Sequence, residues 1–352
     1  MKKLLALALT GVMAVSMLAG CSSSDAESTT TETSAETTTE TTEASTETTA
    51  ETTDASADSD KVYHIGICQL LQHVALDAAT QGFEDALTAQ LGDKVEFDYQ
   101  DASGETANCA TIVNGFVSSD VDLILANATA PLQAAASATA DIPILGTSVT
   151  DYATALEIDD WTGTVGNNIS GTSDLAPLDE QAAMLHDLFP DAKEVGLLYC
   201  SAEANSVYQC TVIEEYLKDY GYNVTWYAFT DTNDVASVAQ TAADASDVIY
   251  IPTDNTAAAN TEAIANVVIP AGVPVIAGEE GICSGCGVAT LSISYYDLGY
   301  ATGLMAVEIL YGGADVSTMA VQYAPNVTKE YNAANCEALG IEIPDDYVAI
   351  EQ

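Results

Sequence analysis

The chain contains no arginine: its basic residues are seven lysines, set against 53 acidic residues, for a formal net charge of −46 over 352 residues. Nucleic acids and anionic lipid surfaces require a basic patch that neutralises phosphate, so both are excluded as natural partners. Catalytic signatures are missing too. No G-x-S-x-G, P-loop or H-E-x-x-H occurs, and Gly66 is not followed by the G-x-G-x-x-G that a dinucleotide needs, so NAD binding is not expected. Of eight cysteines, Cys283 and Cys286 form the one close pair. With no second pair and no histidine nearby, they lack a zinc ligand set, which leaves a local disulfide or inert thiols as the readings and a redox enzyme as the minor one. No metal, no cofactor and no catalytic residue is expected.

Long apolar runs are also scarce. The single one, Leu4 to Leu18, follows Lys2-Lys3 and ends at Leu18-Ala-Gly-Cys21. It is short of the ~20 residues of a membrane span, and it reads as an export signal over residues 1–21 whose lipobox lipidates Cys21. Residues 22–60 hold no aromatic residue and no Val, Ile or Leu. Such a stretch cannot bury enough apolar surface to fold, and it reads as a disordered Thr/Ser/Glu-rich tether on the outer face of the cell membrane.

What the rest of the chain has is a repeat. Ile65-Gly-Ile-Cys-Gln69 and the helical pattern through Leu87 recur as Val195-Gly-Leu-Leu-Tyr199 and the pattern through Leu217. Asp122–Ala126 is answered by Asp247–Ile251, and Ile142–Gly146 by Val273–Ala277. Apolar strands without alternating polarity, separated by helices, predict parallel sheets covered on both faces. The expected architecture is α/β: two Rossmann-like lobes with parallel sheets, joined by a three-strand hinge. Lobe one takes residues 61–166 plus 294–322 and lobe two residues 167–293 plus 323–352, with crossings near 165–170, 290–294 and 322–326. The last helix is expected over Lys329–Leu339, and one continuous helix over residues 256–268.

Ligands of open α/β sheets bind beyond the carboxyl ends of the strands. The loops there are Gln69–His73, Asn127–Gln133 and Thr147–Asp151 from lobe one, and Ser201–Ser206, Thr253–Asn255 and Gly278–Glu280 from lobe two. None contains a lysine, which disfavours a ligand of several negative charges. Buried carboxylates among Asp151, Glu203, Asp254, Glu279 and Glu280 would instead call for an ammonium. A single ligand carboxylate can be held by hydroxyls and helix N-termini. The combination describes a zwitterion, hence an amino acid. At least half of these polar groups are expected to serve as ordinary helix caps, and His73 with Asp77 reads as an i, i+4 surface pair.

The stretches Ile65–Asp77, Ser170-Gly-Thr-Ser-Asp174, Ala202–Ser206, Pro252–Asn255, Ala277–Glu280 and Tyr295-Tyr-Asp-Leu-Gly299 together resemble the ABC-transporter substrate-binding lipoproteins of the tryptophan/tyrosine-binding type. The resemblance implies a type I periplasmic-binding-protein fold and capture of an aromatic amino acid (Trp, Tyr or Phe). Delivery would be to an ABC permease driven by a separate ATPase, by a monomeric, non-enzymatic receptor. It also implies ligand contacts at Gln69, Thr129, Ser148 and Thr150, with Asn205 and Ser206 toward the carboxylate and Asp254 and Glu279 toward the ammonium; Ser201, in the same helix opening, is a candidate contact from the loop chemistry alone. The alternatives are a branched-chain amino acid, a nucleoside or another small zwitterion for the same receptor class, and a ligand sensor. An aromatic clamp could draw on Tyr152, Trp161, Tyr208, Tyr295 and Tyr296.

Overall fold

Strand Tyr63–Gln69 (β1) exposes one residue of seven, and Ile65, Ile67 and Cys68 are fully buried. A strand apolar on both faces belongs inside a parallel sheet with helices on either side. The computed structural model describes residues 61–324 and 326–351; the export signal, Cys21 and the tether lie outside the described residues.

After β1 come α1 (Val74–Leu91), β2 (Val95–Asp101), α2 (Thr106–Ser118), β3 (Leu123–Asn127), α3 (Thr129–Ala138), β4 (Ile144–Val149), α4 (Tyr152–Ala155) and β5 (Ile169–Ser173). The second series is α5 (Leu178–Leu188), β6 (Glu194–Cys200), α6 (Ala204–Asp219), β7 (Asn223–Phe229), α7 (Val235–Ala243), β8 (Val248–Ile251), α8 (Asn255–Ala258), α9 (Thr261–Ala271), β9 (Val275–Ala277), α10 (Glu280–Cys286) and β10 (Ala289–Ser292). Then follow α11 (Tyr295–Leu310), β11 (Gln322–Tyr323), β12 (Thr328–Tyr331), α12 (Ala333–Leu339) and β13 (Val348–Ala349).

Two sheets result, ordered β11-β5-β4-β3-β1-β2 and β13-β12-β10-β9-β8-β6-β7. Every pairing is parallel except β10 with β12. The repeat is realised as β1 between β3 and β2, matched by β6 between β8 and β7. Each sheet carries apolar layers on both sides, such as Phe83, Leu87 and Met305 on one face of the first and Phe116, Val113 and Leu132 on the other.

Four expectations need correction. The chain does not leave the first lobe near 165–170, because β5 pairs with β4, and the crossing falls after Ser173. Asn167 and Asn168 instead form a turn within that lobe, with the Asn168 Nδ2 donating to the Ile142 carbonyl at 2.7 Å. Gly171 makes this pairing possible: at φ 147 it lies so close to Gly146 that a Cβ would strike the Gly146 carbonyl oxygen. The third crossing follows Tyr323, since β11 pairs with β5 in the first sheet, so the boundary at 322/323 moves as well. The helix expected over 256–268 is broken after Ala258, where the Asn260 side chain donates back to the Thr256 carbonyl. The helix expected from Lys329 begins only at Ala333, because residues 328–331 pair with β10 and Asn332 caps the helix.

Helix α11 returns to the first lobe and lies along α1. The approach depends on glycine: a Cβ on Gly299 would meet the Ala79 carbonyl, and one on Gly82 the Tyr296 carbonyl. All seven cysteines among the described residues are free and buried, Cys283 and Cys286 included. Burial pushes the Cys283 and Cys286 thiols well above their ordinary range, which makes them inert core side chains.

Candidate functional site

The carboxyl ends of the two sheets face each other across a cavity. The first lobe contributes His73, Ser148 and Asp174; the second contributes Asn205, Asp254, Asn255 and Glu279; Tyr295 closes it from the start of α11. The enclosed space is about 10 Å³, the room of about one water. Beyond Asn205 it gives way to a wider space of about 270 Å³, between Thr129 and Gln133 on one side and Glu203 and Thr256 on the other.

The backbone is strained at this place. Ser148 sits at φ 53 in the irregular end of β4, and Ala128 at φ 103 just before α3. Non-glycine residues in such conformations cost of order 1–3 kcal/mol and cluster at ligand sites. The Ser148 and Thr129 side-chain oxygens, both buried, have no partner in the structure.

The helix N-termini around the cleft divide into two kinds. Asp254 caps α8 through the Ala257 N–H (2.8 Å) and also accepts the Cys200 N–H (2.6 Å). Glu279 caps α10 through the N–H groups of Gly281 and Ile282. Helices α1, α2, α3 and α6 have no side-chain cap. Their first N–H groups and the positive ends of their dipoles are left for other acceptors.

Burial raises the three cleft carboxyls above the usual range. Asp254 reaches about 8, with the charge of Glu203 adding to the effect. Glu279 reaches about 7, and Asp174 about 6. Asp174 differs from the other two in its partners. Its Oδ2 accepts the Tyr295 hydroxyl at 3.0 Å, whereas its Oδ1 is buried with no partner in the structure. Glu203 forms a hub on the second lobe, accepting the Asn255 and Thr256 N–H groups and their side chains. Across the cleft, His73 Nε2 meets Asn255 Oδ1 at 3.2 Å.

The residues expected at the site therefore separate. Thr129, Ser148, Asn205, Asp254 and Glu279 lie on the cleft. Gln69 lies beneath it, bracing the β1–α1 loop through Leu71, Asp77 and Thr80. Thr150 and Ser206 are buried behind the cavity wall and favour ionised Asp174 and Asp254 respectively. Ser201 is exposed and donates to the Phe229 carbonyl. Asp77 bonds Gln69 and His73 bonds Asn255, so the helical pair expected of them is not a hydrogen bond, although the Asp77 charge still reaches His73. Sequence reasoning missed Asp174 as a site residue, although it is the sole acid of Ser170–Asp174 and follows a strand instead of preceding a helix.

The aromatic clamp is not assembled. Tyr152 is buried with its hydroxyl on the Thr172 carbonyl, and Trp161 stacks on it at 6.5 Å. Tyr208 lies at the outer end of the cleft beside Thr129 and Asp151, and exposed Tyr296 bonds Asp85. Only Tyr295 of the five reaches the inner cavity. Among the described residues, no group of three or more His, Cys, Asp or Glu side chains is placed to hold a metal ion, and no helix is long and apolar enough to cross a membrane.

Known proteins resemble this chain in sequence and in structure. A tyrosine-binding protein of Clostridioides difficile is 34% identical over 314 residues, covering 88% of this chain and 85% of that protein. An ABC domain of Streptococcus pneumoniae, solved in complex with L-Trp, overlaps with a TM-score of 0.77 at 30% identity, covering 81% of this chain and 97% of that one. The ligand-free, open structure of a Clostridium difficile substrate-binding protein with adhesive properties is 35% identical, with a TM-score of 0.64 over 83% of this chain and all of that one. Both sheets, the crossings between them and the match of residues 64–351 to the family model lead to one assignment: the chain belongs to the ABC transporter substrate binding protein family and has a type I periplasmic-binding-protein fold.

Proposed function

We propose that the protein is the extracytoplasmic receptor of an ABC importer, capturing an aromatic amino acid as a zwitterion between its lobes and passing it to a permease. The observation that carries this reading is Asp174 Oδ1, a buried and unpartnered carboxylate oxygen in a cavity without a lysine or arginine. A buried carboxylate with an open lone pair calls for a cation, and a ligand ammonium supplies it. The uncapped α3 and α6 N-termini, with the Thr129 hydroxyl and Asn205, would receive the ligand carboxylate. Asp254 and Glu279 would then shape the cavity by holding α8 and α10 in place, with Glu279 adding negative potential near the ammonium. Nucleosides and sugars lack the ammonium that Asp174 requires. The names of the tyrosine-binding and L-Trp-bound relatives support an aromatic side chain.

Contacts to both lobes stabilise the closed arrangement by their differential free energy, and a permease reads that closure. No bond is made or broken. Lipidation at Cys21 and the Thr/Ser/Glu-rich segment after it would hold a monomeric domain outside the membrane. The test is calorimetric titration of residues 61–352 with L-Trp, L-Tyr, L-Phe, L-Leu, a nucleoside and a simple sugar, repeated on Asp174→Asn. Aromatic amino acids should bind, and the substitution should weaken them by about 2 kcal/mol or more, roughly 30-fold. Binding of the sugar or nucleoside alone, or full affinity in Asp174→Asn, would reject the zwitterion site.

A further inference from the structure

The side chain of Glu203 fixes the orientation of Asn255, and Asn255 fixes the proton on His73. Glu203 accepts the backbone N–H groups of Asn255 at 3.0 Å and Thr256 at 2.8 Å. Backbone N–H groups only donate, so the carboxylate is the acceptor throughout. The Asn255 amide therefore turns its NH₂ to Glu203, at 2.7 Å, and presents its oxygen across the cleft to His73 Nε2 at 3.2 Å. An amide oxygen only accepts, so Nε2 carries the proton. Burial also holds the ring neutral by lowering its pKa. A neutral imidazole protonated on Nε2 leaves a bare lone pair on Nδ1. That nitrogen is buried and without a partner in the structure, on a residue lining the same cavity as Asp174.

The lining of the cavity is of two chemical kinds. Asp174, Tyr295 and Glu279 make one, where Asp174 is among the charges acting on Glu279. The other is apolar: Leu76 and Ala258 stand one helical turn beyond His73 and Asn255, and the charges reaching His73 are Glu203 and Asp77. The acceptor of His73 thus shares the cavity with apolar side chains as well as with Asp174.

We propose that His73 is a specificity-determining residue whose Nδ1 accepts a hydrogen bond from a donor on the rim of the ligand's aromatic ring, selecting an indole N–H or a phenol O–H over a plain phenyl ring. The assignment rests on the aromatic amino-acid reading above and refines it. A site built around a buried acceptor discriminates strongly, because the analogue without the donor leaves that acceptor desolvated and unpaired. The receptor should accordingly take tryptophan or tyrosine in preference to phenylalanine.

The experiment is titration of the wild-type domain, His73→Phe and His73→Asn with L-tryptophan, L-tyrosine and L-phenylalanine, with folding followed by thermal melts. Phenylalanine at position 73 keeps a ring without nitrogen, whereas asparagine keeps an acceptor near the place of Nδ1. The wild type should bind the better of tryptophan and tyrosine at least ~10-fold more tightly than phenylalanine. His73→Phe should bring them within ~3-fold, chiefly by weakening the donor ligand, and His73→Asn should restore part of the preference. Should His73→Phe fail to fold, the wild type alone decides: 1-methyl-L-tryptophan or O-methyl-L-tyrosine should bind at least ~10-fold more weakly than its parent. Equal affinity for parent and methylated ligand, or a preference that survives His73→Phe, overturns the assignment. Binding of all three amino acids alike would remove His73 and leave the receptor reading standing. Binding of none would remove both.

Discussion

Asp254 and Glu279 each hold the start of a helix, and Asp174 holds none. That contrast separates structural acids from the one with an open lone pair. Replacing Asp254 with alanine removes a cap and the partner of the Cys200 N–H, so it should cost stability of about 1 kcal/mol or more, as well as altering the cleft. The folded pKa values of Asp174, Glu279 and Asp254, about 6, 7 and 8, all lie above the values of an unfolded chain. The folded state therefore keeps protons that the unfolded state has released. Stability from these groups is full below about pH 4 and declines as pH rises through about 4 to 8. In thermal melts of the ligand-free domain, Tm should fall from pH 5 to pH 8, and Asp254→Asn should flatten the upper part of that slope; a Tm rising across the window would contradict it. The sequence made Asp254 and Glu279 legible as acids before helices. It could not tell that Asp174, which caps no helix, would be buried with one oxygen on Tyr295 and the other open, since that depends on Tyr295 arriving from a distant crossing.

At the scale of elements, the α1–α11 contact carries the site as much as any loop. His73 is the N-cap of α1, and Gly82 and Gly299 let α11 lie against it at backbone distance. Gly299→Ala puts a methyl group against the Ala79 carbonyl, and overpacking of this kind costs about 1–3 kcal/mol. A drop in Tm of about 2–5 °C is expected in calorimetric scans, and an unchanged Tm would mean that the helices can separate freely. The alternation of strand and helix was legible because β1, β3, β6 and β8 are apolar runs buried on both faces. Strand β5 was not, because Ile-Ser-Gly-Thr-Ser carries hydroxyls that find partners only after folding, such as Thr172 on Thr302 at 2.8 Å. Strand β12 was hidden for the opposite reason: Thr-Lys-Glu-Tyr is half exposed and is a strand only through its pairing with β10 and β13.

For the whole molecule, the His73–Asn255 contact joins the lobes at the cavity and the crossings join them at the hinge. Ligand that touches both lobes should shift the population toward this arrangement. Small-angle scattering of residues 61–352 should therefore show a smaller radius of gyration with saturating L-tryptophan than without, and no change with glycine; equal values with tryptophan would take closure out of the mechanism. Two lobes and a cleft were readable from the internal repeat, while the placement of the first crossing was not, because the turn at Asn167 and Asn168 carries the same breakers as a linker. The buried thiols give this motion a built-in stopwatch. A soluble alkylating reagent reaches Cys200, beside Asp254, only when its surroundings come apart, and Cys109 and Cys210 only when the interior of a lobe does. The labelling rate at each cysteine thus reports the free energy of a different opening, and a ligand that clamps the lobes should slow the clock at Cys200 before it slows the others.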